Sequence, residues 1–188
     1  MPTELPALII IDMQKAMTDP AAGARNNPQA EACIAALLRA WRGAGGVVVH
    51  VRHMSTSPAS LFWPGRPGVE FQEALAPLPG AHVVEKNVPD AFINSALERW
   101  LRVRGVGAVV LVGVSTNNSV EGSARSASNL GFDVTVVADA CFAFDKTDYA
   151  GTRRNAADVH AMALANLDGE HARITSTAAL LATLPGLA

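Results

Sequence analysis

Five short apolar runs, each separated from the next by a segment long enough for a helix, constrain this chain more than any other feature. "ALIIID" (7–12), "VVVHVRH" (47–53), "AHVVEK" (81–86), "AVVLVGV" (108–114) and "FDVTVVADA" (132–140) are rich in β-branched residues and read as strands. The first is apolar at every position up to its terminal acid, the pattern of a strand buried on both faces. Apolar residues at helical spacing fill 29–46, 92–105, roughly 116–130, and 155–169, and the first two of these helices stop at glycines. "ARITST" (172–177) reads as a last or edge strand followed by a short helical tail. Regular alternation of strand and helix predicts a three-layer α/β/α fold: a Rossmann-like parallel sheet of about six strands with helices on both faces. No internal repeat interrupts it, and 188 residues suit a single domain spanning 1–188.

Composition narrows the function classes. Hydrophobic residues make up 49% and charged residues 17%, a globular balance, and the formal net charge of −2 lacks the basic excess of a nucleic-acid binder. The apolar runs are too short to span a bilayer. The opening "MPTELP" shows no basic region followed by a hydrophobic stretch, so no signal peptide is expected. Cys33 and Cys141 are far apart and form no metal-type pair. A reducing, cytoplasmic setting is the expectation, with a small molecule as partner and neither nucleic acid nor membrane.

In a doubly wound sheet, ligands sit beyond the carboxyl ends of the strands. Asp12, Lys86 and the stretch "LVGVSTNNSV" (111–120) all fall at such ends. The last is unusual: an apolar strand runs into Ser115, Thr116, Asn117, Asn118 and Ser119, and a helix follows at once. Small polar residues there leave the backbone open to a substrate. Between the second and third strands, "MSTSPASLFWPGRPG" (54–68) is a long loop carrying Phe62 and Trp63, a candidate substrate-binding segment.

Three motifs carry a family resemblance. "LIIIDMQKAM", "EKNVPDAF" and "GVSTNNSVEGSARSASNLGFDVTVVADA", in that order and spacing, resemble the isochorismatase-like (cysteine hydrolase) family over residues 7 to about 175. The resemblance implies a hydrolase with a catalytic Asp after the first strand, a Lys after the third and a Cys in the turn after the fourth. Asp12 and Lys86 match; the third position is Ser119. A thiol beside a carboxylate and an ammonium readily becomes a thiolate, whereas a serine hydroxyl normally needs an oriented base. The resemblance therefore points to the route of those isochorismatases that lack the cysteine, in which the Asp protonates a vinyl ether and no covalent intermediate forms. It also implies a cis peptide bond at Val114–Ser115, with backbone N–H groups of residues 115 and 119 turned toward a substrate oxygen. Val114, Ser115 and Thr116 are thus candidate oxyanion-binding residues, and Phe62, Trp63 and Phe92 candidate pocket walls.

Alternatives stay open residue by residue. Asp12 alone could be a cap, and Lys86 alone a solvated lysine. Thr116 and Asn117 could simply cap the following helix. Ser119 could be a nucleophile of an amidase or carbamoyl hydrolase, in nature or in place of an original Cys, or a small residue without chemistry; the whole chain could be a silent binding protein of the same fold. Cys141 follows the fifth strand and could face the cleft, although a lone cysteine is more often a small buried hydrophobe; Cys33 reads as core. Nicotinamidases of the family carry an Asp-x-His metal motif after the second strand; here "HVRHMSTS" puts Arg52 between His50 and His53, so neither a catalytic metal nor another cofactor is expected. His160 reads as a packing or surface histidine. Relatives form dimers or larger oligomers, so a homodimer or homotetramer is expected, with Phe62, Trp63 and Phe142 as candidate anchors near the active-site loops.

Overall fold

A computed structural model describes residues 5–183. The first four residues, on which part of the leader reading rests, and residues 184–188, on which part of the expected helical tail falls, lie outside it. Six strands form one parallel sheet: β1 (Ala7–Ile11), β2 (Val48–His53), β3 (His82–Lys86), β4 (Ala108–Val114), β5 (Asp133–Phe142) and, after a short hairpin and a helix, β8 (Arg173–Thr175). Their order is β3-β2-β1-β4-β5-β8, with every pairing parallel. This is the three-layer, Rossmann-like arrangement that the alternating pattern predicts.

The sheet's burial explains its sequence. All five β1 residues are buried. Ile9 and Ile11 point to one face, where α2 (Leu97–Val103) and α3 (Glu121–Asn129) contribute Leu97, Leu101, Ala124 and Ala127. Leu8 and Ile10 point to the other, where α1 (Ala30–Gly43) contributes Ile34, Leu37, Leu38 and Trp41. Trp41 is fully buried and its indole N–H donates to the Pro6 carbonyl at 2.7 Å, which satisfies its one polar atom. α5 (Thr177–Thr183) packs on the same side as α1 through Leu180 and Leu181.

Several boundaries differ from the sequence pattern for local reasons. The helix expected over 92–105 occupies only 97–103, because the Asp90 side chain accepts from the Phe92 N–H at 2.8 Å and Asn94 is left-handed at φ 54°. Loop 19–28 is preceded and entered by two short 3₁₀ turns, Lys15–Thr18 and Pro20–Ala22. β5 runs to Phe142 rather than 140, because it bulges: Leu111 of β4 faces Val136, while Gly113, two residues on, faces Cys141. The Asn27 side-chain amide bridges the bulge, donating to the carbonyls of Ala138 at 3.0 Å and Cys141 at 2.7 Å. The extension buries Phe142 completely, so Phe142 belongs to the core and is not available as an oligomer anchor. Residues between β5 and the next helix form a small hairpin, β6 (Lys146–Thr147) and β7 (Arg153–Arg154), ahead of α4 (Ala156–Ala165). Among the described residues, no helix is long and apolar enough to cross a membrane.

At the carboxyl edge of the sheet, Gly113 is required by close approach. Gly113 has φ 123°, and a Cβ placed there would lie 2.1 Å from the Ile11 carbonyl oxygen. That contact is between neighbouring strand backbones, which cannot move aside without breaking the β1–β4 ladder. Gly113→Ala should therefore lower stability by more than about 3 kcal/mol. Gly107→Ala, where a Cβ would meet nothing within 4 Å, should change it by less than about 1 kcal/mol. Urea denaturation of the two variants checks the contrast.

Candidate active site

The order of the strands reverses between β1 and β4, the usual place for a ligand crevice in such a sheet. Asp12 ends β1 on one side of this point; the turn Ser115–Val120 leaves β4 on the other. Lys86 is the last residue of β3, two strands away, and its long side chain reaches back across β2. Its ammonium donates to Asp12 Oδ2 at 2.6 Å and to Ser119 Oγ at 3.4 Å. Three side chains distant in sequence are thus brought together at the carboxyl edge of the sheet.

The backbone around each is specialised. Asp12 is left-handed, at φ 54°; its N–H donates to Val51 O at 2.9 Å and its carbonyl accepts from Gln14 N at 2.7 Å. The strand therefore stops abruptly and turns. The Val114–Ser115 peptide bond is cis, as the resemblance implies. The following helix starts as a π-helical turn, Thr116–Val120, in which the Ser115 carbonyl accepts from Asn118 N at 3.1 Å and Val120 N at 3.2 Å. No side chain caps this turn, in contrast to the capping role open to Thr116 and Asn117. Instead the buried Thr116 hydroxyl pairs with His160 Nδ1 on α4 at 2.8 Å. Burial lowers the pKa of His160.

The electrostatics turn on burial. Asp12 is 1% exposed, Lys86 3% and Ser119 5%. Desolvation pushes the Asp12 carboxyl above its ordinary value; the charge and hydrogen bond of Lys86 oppose this, and the Ser119 hydroxyl opposes it more weakly. Asp12 Oδ1 is buried and has no hydrogen-bond partner. Asp12 therefore combines a strengthened hold on a proton with a buried oxygen that no protein group pairs.

The other sequence candidates are distributed around this centre. Phe62 and Trp63 are half-buried in the 54–68 loop, and Phe62 meets the His53 ring edge-on at 5.6 Å. Phe92 is buried in the core against Phe132, with ring centroids 5.8 Å apart. Cys141 is fully buried and its thiol is pushed up to about 12 by that burial, so it is inert as a nucleophile at neutral pH. Cys33 is half-buried on α1. Among the described residues, no three His, Cys, Asp or Glu side chains are grouped so as to hold a metal ion. A groove of about 1010 Å³ opens beside the turn, lined by Asn117, Glu121, the β6–β7 hairpin and α4; Asp12, Lys86 and Ser119 do not line it.

Two supporting residues escaped the sequence reading. Gln14 is fully buried, and its side chain stitches the base of the aromatic loop to the sheet: Nε2 donates to His53 O at 2.9 Å and Val69 O at 3.0 Å, and Oε1 accepts from His53 N at 2.7 Å. Its proximity to Asp12 in "DMQ" was a signal of a kind. His53 is the last residue of β2, between the strands that carry Asp12 and Lys86, and burial and the Lys86 charge lower its pKa.

Comparison with known proteins agrees with this fold. Fold and site together define a three-layer α/β/α protein whose polar centre lies at the switch point of the sheet. The Isochorismatase domain family matches residues 6–179. An isochorismatase-family protein of known crystal structure from Chromobacterium violaceum is 49% identical, with a TM-score of 0.92 and 97% of each chain covered. YrdC of Bacillus subtilis, an isochorismatase family protein, is 38% identical over 178 residues, 95% of each chain. Maleamate amidohydrolase of Pseudomonas putida is 33% identical over 148 residues, 70% of each chain. The chain belongs to the isochorismatase family of small-molecule hydrolases.

His50 provides a test of the buried electrostatics. It is fully buried in β2, neither ring nitrogen has a partner, and burial, with Arg42 nearby, lowers its pKa to about 4. The unfolded chain would protonate this group near its ordinary 6.5. Above that pH neither state binds the proton, so its effect on stability is nil; as pH falls from 6.5 toward 4 the unfolded state gains a proton first and stability drops. At pH 4.5 the loss should reach roughly 2–3 kcal/mol. His50→Met should remove it, so denaturation at pH 7 and pH 4.5 should show a smaller drop for the variant.

Proposed function

We propose that this protein hydrolyses a small enol-ether-type substrate by proton transfer through Asp12, without a covalent enzyme intermediate. One observation carries the reading: the Asp12 carboxyl has a raised pKa and an Oδ1 that no protein group occupies. A general acid needs a carboxyl that holds its proton more firmly than a surface aspartate and an oxygen not already tied to another protein group. Asp12 gives its proton to the carbon end of the activated double bond. The resulting oxocarbenium takes up water, whose released proton returns to Asp12. The hemiketal then breaks its carbon–oxygen bond, the hydroxyl proton moves to the departing alcohol, and a ketone remains.

In this reading Lys86 orients the carboxyl through Oδ2 and leaves Oδ1 to the substrate. Backbone N–H groups at residues 115 and 119 hold a substrate oxygen, assisted by the favourable N-terminal end of the turn and α3. Ser119 contributes a hydrogen bond rather than a new covalent bond. The half-buried Phe62 and Trp63 of the 54–68 loop serve as the aromatic wall in this reading.

A second reading also has support. The Lys86 ammonium lies 3.4 Å from Ser119 Oγ, and a related protein is named an amidohydrolase, so Ser119 could attack a C–N substrate as a nucleophile. The near-complete enclosure of Asp12, Lys86 and Ser119 is the observation that favours a third, a silent binding protein of the same fold.

Kinetics on isochorismate and on a panel of amides and carbamoyl compounds separate the three. Under the Asp12 reading, Asp12→Asn should cost about 10²–10⁴-fold in rate, while Ser119→Ala should stay within about tenfold of wild type. Equal inactivation of both variants, with an acyl-serine trapped by mass spectrometry, selects the nucleophile reading, because members of one catalytic unit fail together. Wild type inert on every substrate supports the silent one.

A further inference from the structure

α4 presents one face to the catalytic turn, and that face is almost entirely alanine. Ala156, His160 and Ala163 are its buried residues, at i, i+4 and i+7. The two alanines let the helix backbone approach closely, and His160, between them, is the polar one of the three. Its Nδ1 pairs with Thr116 Oγ1 at 2.8 Å, with Thr116 fully buried and His160 8% exposed. Thr116 immediately follows the Val114–Ser115 cis bond and opens the π-helical turn that ends around Ser119 and Val120. Nothing else holds the Thr116 hydroxyl: it has no second side-chain partner among the described hydrogen bonds and does not cap the turn. Farther along α4, Asn166 makes the remaining polar ties to α3, its amide donating to Glu121 Oε1 at 3.3 Å and its carbonyl accepting from Arg125 at 3.4 Å. Those contacts fix the end of the helix but do not touch the turn.

We propose that His160 is a positioning residue for the hydrolytic centre: by its hydrogen bond to Thr116 it locks α4 to the 115–119 turn and so holds the backbone that faces the reacting oxygen. The inference rests on the use of that backbone in the proposed function. The turn is π-helical rather than α-helical, and the Ser115 carbonyl shares its bonding between the amides of Asn118 and Val120. A single buried cross-link from a rigid helix limits how far it can drift, and a misplacement of about 1 Å at a reacting centre can cost about 10²-fold in rate. His160 touches no substrate in this scheme; it acts through Thr116.

The test combines four variants with two readouts. His160→Leu and Thr116→Val each delete the cross-link. His160→Asn retains it in part, because an Asn δ atom occupies the place of the imidazole Nδ1. The fourth variant combines the two deletions. Amide hydrogen exchange needs no substrate: the Asn118 and Val120 amides, bonded to Ser115 O, should exchange at least about tenfold faster in both deletion variants. In His160→Asn they should stay within about threefold of wild type, and amides of β4 should be unchanged throughout. With isochorismate as substrate, kcat should fall about 10–100-fold in each deletion variant with KM within about threefold. His160→Asn should recover most of the kcat, and the double variant should be no worse than either single. Unchanged exchange at residues 118 and 120, additive losses in the double variant, or no recovery by His160→Asn would overturn the proposal. If wild type does not turn over isochorismate while the exchange pattern holds, the enol-ether reading falls and the cross-link stands.

Discussion

A carboxylate and an ammonium buried together are expensive to strip of water, and their mutual attraction offsets that cost only when geometry is good. Asp12 and Lys86 meet at 2.6 Å with both side chains almost wholly enclosed, and much of the surrounding structure serves to make that meeting possible. β1 must stop at Ile11 and turn through a left-handed Asp12. β3 must end at Lys86 so that four methylenes reach across β2. Gly113 must lack a side chain so that β4 can lie close against β1 at this edge. The pair is therefore a reason for the sheet's detail at its carboxyl edge, and burial decides its chemistry: desolvation outweighs the pull of Lys86 and leaves Asp12 a weaker acid than a surface aspartate.

The proposed function rests on what the pair leaves unsatisfied. Lys86 takes Oδ2 and contacts Ser119, and Oδ1 stays without a partner in a site where such an omission is costly. In the proposed reaction, a substrate group that exchanges a proton with Oδ1 relieves that cost. Cys141, by contrast, is a nucleophile in name alone, since the core around it favours the neutral thiol. The same physics of burial thus strengthens the hold of Asp12 on a proton and disables Cys141, which lies on β5 opposite Gly113 of β4.

Most of the architecture was legible because the strands are buried on both faces. "ALIIID" is apolar at every position until its acid, so strand, end point and candidate acid could be read together. Lys86 and Ser119 stood at equivalent ends, and the cis bond followed from the motif that contains it. The helix before Gly105 was read too long, because the Asp90 and Asn94 turn chemistry overrides the apolar spacing of "FINSAL". The apolar pattern ends the fifth strand at 140 and leaves Phe142 beyond it, since a bulge in β5 adds residues to a strand without any periodic signature. The β6–β7 hairpin, two residues per strand and fully exposed, carries no apolar alternation at all. His160 joins Thr116 across 44 positions. Neither its direction nor its partner is legible in the sequence: Ala156, Ala157, Ala161, Ala163 and Ala165 lie around the whole helix, and no local pattern encodes which turn a helix face will meet.

The protonation of Asp12 is the quantity on which the account stands most directly. Carboxyl ¹³C NMR of the protein labelled at aspartate, with the Asp12 signal assigned by its loss in Asp12→Asn, follows that titration site by site. The account predicts a midpoint above the ordinary aspartate value of 3.8, because burial outweighs Lys86. A midpoint at or below that value would mean that Lys86 dominates and Asp12 is a permanently ionised partner, and the proton-transfer account would be contradicted.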